Sequence, residues 1–270
     1  MSTVAPEGFS SFLFKDQNIE HTVFVGGSGP AIVIMHELPG MVPETITFAR
    51  RLQEAGFTTY LPLFFGRPGK KNSTLSDAGY ALRLCISREF YLFKRNASSP
   101  IVTWLRALCN HAHNQCGGPG VGVIGMCLTG GFALSLLTEP SVIAPVMSQP
   151  SLPACPLGSK RAKQECHREL DLSAEELEIA KRRAAEGITI RGYRFTGDTL
   201  CPSARFDRLR EEFGSAFIPL EIDSSPGNVH GYAANSHAVF TIHYSDEPES
   251  PTRKALDGLI DYYQKKLLNP

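Results

Sequence analysis

The chain has 270 residues, 42% hydrophobic and 20% charged, a length and balance that let a globular protein bury a sizeable core. Its 27 basic and 27 acidic residues cancel, which argues against a nucleic-acid binder or a polybasic membrane-surface protein. Seven cysteines, an odd number with no C-x-x-C among them, fit neither a secreted disulfide framework nor a thiolate metal site. A cytoplasmic setting with reduced thiols is expected.

The N-terminal stretch MSTVAPEGFSSFLFKDQ lacks a basic n-region and an apolar h-region, so it reads as the start of the folded chain. Residues 21–26 alternate like a strand, and 30–36 (PAIVIMH) form the continuous apolar run of a strand buried on both faces. Residues 44–57 place Ile46, Phe48, Ala49, Leu52 and Ala55 on one helical face, with Gly56 as the stop. A strand follows at 57–63, then a polar, basic loop at 66–77 and helical patterning from 97 to 114. The apolar run 121–137 is too short and too glycine-rich to span a membrane. It reads as a buried strand turning into a buried helix.

Residues 141–147 predict a further strand, and composition then shifts to proline and charge between 150 and 172. Ser173 and Glu176 form a capping box ahead of a helix that ends at Gly187. Strand 188–198, helix 205–214, strand 217–223 and helix 251–267 complete the chain. Strand–helix alternation with no repeat or linker predicts one α/β domain over 1–270, with a mainly parallel central sheet and helices on both faces. The stretch 150–187 is a candidate lid or insertion.

The sharpest chemical feature is Gly125-Met126-Cys127-Leu128-Thr129-Gly130-Gly131, between a predicted strand and a predicted helix. A turn this tight lifts its central side chain off the top of the sheet and needs small neighbours where the segments nearly touch. It is a nucleophile-elbow pattern with cysteine in the place of serine. Backbone N–H groups and the positive end of the following helix favour a thiolate there. No P-loop is present, and the turn lacks the register of a dinucleotide fingerprint.

A nucleophilic cysteine needs a base, and the base an orienting acid. Asp198, in Thr196-Gly197-Asp198-Thr199-Leu200-Cys201-Pro202, follows a predicted strand and is the candidate acid, with Asp223 in reserve. His230 and His237 are the candidate bases: the first lies closer to the last strand, the second in better register with the closing helix. His243 reads as a surface residue. Upstream, a charged His36-Glu37 pair directly after an apolar strand points to a cleft, and Leu38 stands where a second oxyanion-hole N–H is supplied.

These motifs, in this order over roughly residues 20–265, resemble the dienelactone hydrolase family of α/β-hydrolases. The resemblance rests on His36-Glu37-Leu38-Pro39-Gly40, the Cys127 elbow, Gly197-Asp198 with Pro202, and the late histidine. It implies thiol-mediated hydrolysis of a small ester or lactone by Cys127, with Asp198 holding His237 or His230. It also implies an oxyanion hole from the Leu128 and Leu38 N–H groups, and a Glu37 that tunes the nucleophile. No metal or organic cofactor is implied, and the partner is a small molecule, on a monomer or homodimer with no nucleic acid or membrane.

Three departures stand out. Thr129 replaces the usual elbow glycine, which would shift the turn and narrow the pocket. The 150–187 segment and the spacing of the two histidines suggest altered loops. Arg88 is a candidate for the substrate-binding arginine, and Phe64, Phe65, Phe90, Tyr91 and Phe93 are candidates for a pocket wall. The rival readings are a non-catalytic ligand-binding or sensor module on the same scaffold, and an acyltransferase. A histidine within reach of the Cys127 sulfur separates the first from a hydrolase.

Overall fold

Five apolar residues without a polar interruption, Ala31–Met35, form β3, and none of their side chains reaches solvent. A strand of that composition belongs in the middle of a sheet covered on both faces, and β3 lies there. The computed structural model describes residues 4–70, 99–152 and 159–269. Within them, eight strands form one sheet: β1 (Ser10–Asp16), β2 (Ile19–Gly27), β3, β4 (Thr58–Pro62), β5 (Val121–Met126), β6 (Val142–Ser148), β7 (Ile190–Phe195) and β8 (Phe217–Ile222). Their order is β1-β2-β4-β3-β5-β6-β7-β8. The first two strands and the β2–β4 pair are antiparallel; every pair from β4 to β8 is parallel.

Helices cover both faces. On one side lie α1 (Pro43–Glu54) and α7 (Pro251–Tyr263), packing Phe48, Leu52, Leu256 and Leu259 against Ile32, Ile34 and Ile124. On the other lie α2 (Pro100–Cys116), α3 (Phe132–Ser135), α5 (Ala174–Ala185) and α6 (Ser203–Phe213), which bring Trp104, Leu105, Leu134, Ala180 and Phe206 to Val33 and Val123. The remaining helix, α4 (Lys160–Arg168), packs on α6. The chain is thus an α/β-hydrolase fold. Helices α4 and α5 are the crossover from β6 to β7, and the capping box of Ser173 and Glu176 starts α5. Part of the proposed lid, residues 153–158, lies outside the described residues.

The structure adds one strand that the sequence patterning leaves unassigned and corrects two local expectations. The N-terminal stretch contains β1, whose Phe12 and Phe14 turn inward while Leu13 is exposed, paired to β2 across a two-residue turn. The buried helix expected after Cys127 is broken into a 3-10 turn (Cys127–Thr129), the four-residue α3 and a second 3-10 turn. So short a helix adds little dipole at the cysteine. The expectation of reduced thiols fails at Cys166, which is disulfide-bonded. Among the described residues no helix is long and apolar enough to cross a membrane.

Candidate active site

Strand β3 is where the chain switches direction across the sheet, with β4 added on one side and β5 on the other. Open α/β sheets bind ligands beyond the C-terminal strand ends at such a point. The loops leaving β3, β5, β6 and β7 there carry Glu37, Cys127, Ser151 and Asp198, and the long loop after β8 carries His237.

Cys127 sits at the tip of β5 with φ of +55°, a left-handed conformation that a cysteine adopts only when its surroundings impose it. Gly125 is one cause: a methyl group there would stand 2.1 Å from the Thr129 carbonyl oxygen. Thr129 is the other. Its hydroxyl accepts from the Met126 N–H at 2.9 Å and lies 2.9 Å from the carbonyl oxygens of Met35 and Met126, joining the ends of β3 and β5. The side chain is fully buried beneath the elbow, so it stitches the turn together instead of narrowing a pocket. The Cys127 sulfur lies 3.2 Å from the Ser151 hydroxyl, and the Ser151 N–H donates to the Cys127 carbonyl.

Asp198 is 3% exposed. One carboxylate oxygen accepts from the N–H groups of Leu200 and Cys201; the other lies 2.6 Å from Nδ1 of His237. A methyl group at Gly197 would stand 2.2 Å from the Ala234 carbonyl oxygen, so only glycine lets the acid loop meet the histidine loop this closely. His237 Nε2 is buried without a hydrogen bond. A ring nitrogen of His237, the Cys127 sulfur and a Glu37 carboxylate oxygen all lie within 4.8 Å of one another. Burial alone would lower the His237 pKa, but the Asp198 carboxylate and the Cys127 sulfur outweigh it and hold the imidazole up at about 11. His230 is exposed, with its ring beside Tyr232, and does not share this cluster.

The profile of the Dienelactone hydrolase family matches residues 21–265. The chain belongs to the dienelactone hydrolase family. It is accordingly an ester/lactone hydrolase by family. Solved structures share its fold: a putative dienelactone hydrolase from Klebsiella pneumoniae is 13% identical with a TM-score of 0.62, covering 95% of this chain and 98% of that one. A dienelactone hydrolase-like promiscuous phosphotriesterase from metagenomic libraries is 14% identical with a TM-score of 0.62, over 96% and 98%. The dienelactone hydrolase from Anabaena variabilis is 14% identical with a TM-score of 0.58, over 97% and 100%. No curated protein matches the chain by sequence.

Within this dienelactone hydrolase family member, Glu37 is 1% exposed and held at both oxygens: Thr241 Oγ1 donates to one and Gln149 Nε2, at 3.0 Å, to the other. Burial pushes its carboxyl pKa up, against the pull of His237, Thr241 and Gln149. His36 differs from the charged cleft residue expected. It is fully buried, which pushes its pKa down to about 4. Its Nε2 accepts from the Phe64 N–H at 3.1 Å, so Nδ1 carries the proton and donates to the Glu37 carbonyl. Neutral His36 therefore fixes the β3 and β4 loops to one another. Phe64 and Phe65 pack on its ring.

Several residues at the site carry no motif. His243, expected at the surface, is half-buried, and its Nδ1 accepts the N–H groups of both His237 and Ala238. Arg194, 2% exposed, donates to the carbonyls of Thr196 and Cys201 on either side of Asp198 and pairs with Glu221. Ser148 and Gln149 could have been noticed as polar residues at the end of an apolar strand, the signal that singled out Glu37. Cys201 is structural: burial pushes its thiol up to about 12. Leu128 lies in the 3-10 turn after Cys127, and Leu38 follows Glu37 in the β3 loop. Arg88, Phe90, Tyr91 and Phe93 lie outside the described residues.

Proposed function

We propose that this protein hydrolyses a small ester or lactone through a thioester on Cys127, with His237 as its acid and base and Asp198 as the group that orients His237. The observation that carries this reading is the positive-φ Cys127 within 4.8 Å of a ring nitrogen of His237, whose Nδ1 is 2.6 Å from a buried aspartate. Nucleophile, base and orienting acid stand in the relation that such catalysis requires.

The Cys127 thiolate attacks the carbonyl carbon, and the oxyanion forms against the backbone N–H groups of Leu128 and Leu38. Protonated His237 gives its proton to the departing alkoxide, leaving a thioester on Cys127. Neutral His237 then takes a proton from water as that water attacks the thioester. Collapse releases the acid and returns the thiolate–imidazolium pair. Asp198 keeps Nδ1 protonated throughout, so that Nε2 is the nitrogen that works. Buried Glu37 sets the charge balance of the pair and supplies a second proton acceptor for the Cys127 thiol.

Hydrolysis of p-nitrophenyl acetate tests the reading. Cys127→Ala should lose the activity while keeping the wild-type melting curve, and mass spectrometry of rapidly acidified reactions should find an acetyl group on Cys127 in the wild type. Full activity in Cys127→Ala sinks the proposal. Transfer of the acyl group to an added alcohol or amine, in preference to water, would make the protein an acyltransferase instead.

A further inference from the structure

We propose that Cys127, His237 and Glu37 form a binding site for a borderline-soft divalent cation of the zinc type, which blocks the nucleophile reversibly. Their ligand atoms, one thiol sulfur, one imidazole nitrogen and one carboxylate oxygen, lie within 4.8 Å of one another. A tetrahedral zinc ion holds such atoms at about 2.0–2.3 Å, which sets them roughly 3.3–3.7 Å apart. Side-chain torsions at Cys127 and Glu37 need to close a gap on the order of 1 Å. The donor set is one that zinc takes and magnesium refuses, since hard cations prefer oxygen alone.

Two further observations point to a cation at this place. His237 offers a buried Nε2 that makes no hydrogen bond, while its Nδ1 lies against Asp198. That carboxylate–histidine arrangement is the outer support that metal-bound histidines carry. Glu37 has the same kind of support, from Thr241 and Gln149. Three protein ligands leave a fourth position open to water, and the Ser151 hydroxyl, 3.2 Å from the sulfur, borders it. Binding releases to solvent the proton that the Cys127–His237 pair shares, which the imidazolium carries on Nε2, and ties up the sulfur lone pair. The blockade rests on the reading of Cys127 as nucleophile; the binding does not.

The test uses the full chain with zinc chloride or cobalt chloride as the probe. One equivalent of zinc should bind with a dissociation constant on the order of 1 μM or tighter. It should slow iodoacetamide alkylation of Cys127, and EDTA should reverse that protection. Cobalt should give a near-ultraviolet thiolate charge-transfer band, absent in Cys127→Ala. Glu37→Gln should weaken zinc by about 10-fold or more, since losing an outer supporting group alone costs about 10–100-fold. Magnesium should do none of this. The wild-type protection measurement needs no variant, so a variant that fails to fold does not spoil the test. No protection by zinc, equal protection by magnesium, or unchanged affinity in Glu37→Gln overturns the proposal. Zinc that binds and protects in a protein with no esterase activity leaves the metal site standing and removes the hydrolase reading.

Discussion

A methyl group on Gly125 would stand 2.1 Å from the carbonyl oxygen of Thr129. The end of β5 and the turn that follows Cys127 are therefore in direct backbone contact, and the strained geometry of Cys127 depends on that contact. The obstacle is backbone, which cannot swing aside as a side chain can. Gly125→Ala should destabilise the protein by about 1–3 kcal/mol or more, the cost of forcing extra volume into a closed contact. Gly258 in α7 meets nothing within 4 Å, and Gly258→Ala should stabilise by about 0.5–1 kcal/mol. Urea melts of the two variants would separate these effects; equal stability in Gly125→Ala would refute the packing account.

His243 bears on the site through backbone, since its Nδ1 accepts the N–H groups of His237 and Ala238. An asparagine side chain offers an oxygen near the same place, whereas leucine offers none. His243→Leu should lower ester hydrolysis about 10-fold or more, because small misplacements of a reacting group are costly. His243→Asn should recover most of it. The ratio of the two variants' kcat values is the measurement, and equal values would remove His243 from the account.

Arg194 should not tolerate lysine. Its guanidinium donates to the carbonyls of Cys201 and Thr196 at 2.9 and 3.1 Å while pairing with Glu221. An ammonium cannot reach three such partners in one plane. Arg194→Lys should cost about 1–3 kcal/mol for the carbonyls left unpaired and should reduce activity more than its loss of stability explains, because the loop holding Asp198 slackens. Denaturant melts and kcat, measured together, check both parts.

Asp171 makes stability depend on pH. Burial pushes its carboxyl up to about 6 from 3.8, against the opposing pull of Arg205. Between those values the folded state holds a proton that the unfolded state has released, so stability falls as pH rises through that window. Below about pH 4 the penalty vanishes; above pH 6 it is complete, at most roughly 3 kcal/mol. Asp171 has a positive φ of 58°, which asparagine also adopts readily. Asp171→Asn should therefore be more stable than the wild type at pH 7 and flatten the slope between pH 4 and 6. Urea midpoints at a series of pH values would show this.

Much of the fold was legible because apolar periodicity is local. Ala31–Met35, Val121–Met126 and the Ser173 cap announce themselves within a few residues. The elbow was legible too, since Gly125 is demanded by a contact inside the motif, with Thr129, although the tightest neighbour of Gly130 is the distant Pro150. Strand β1 was missed because its two inward phenylalanines are only half-buried at a sheet edge. The helix after Cys127 was overdrawn because a buried apolar run looks the same whether it forms one helix or three short turns.

The residues around Cys127 divide along the same line. The sequence alone determined that a cysteine stands at a strand-to-helix turn, that an aspartate follows a later strand, and that a glutamate follows an early one. Which histidine meets that aspartate was decided only in three dimensions: residues 223–250 contain no regular element to set their course. Loop packing, including the contact of Gly197 with Ala234, places His237 against Asp198 and leaves His230 in solvent. Glu37 is held by Thr241, 204 residues away, and by Gln149, 112 residues away, and no local pattern encodes hydrogen bonds across such separations. Secondary structure follows from short-range sterics and periodicity, but a buried polar cluster is assembled from whichever distant groups can satisfy one another once the sheet has formed.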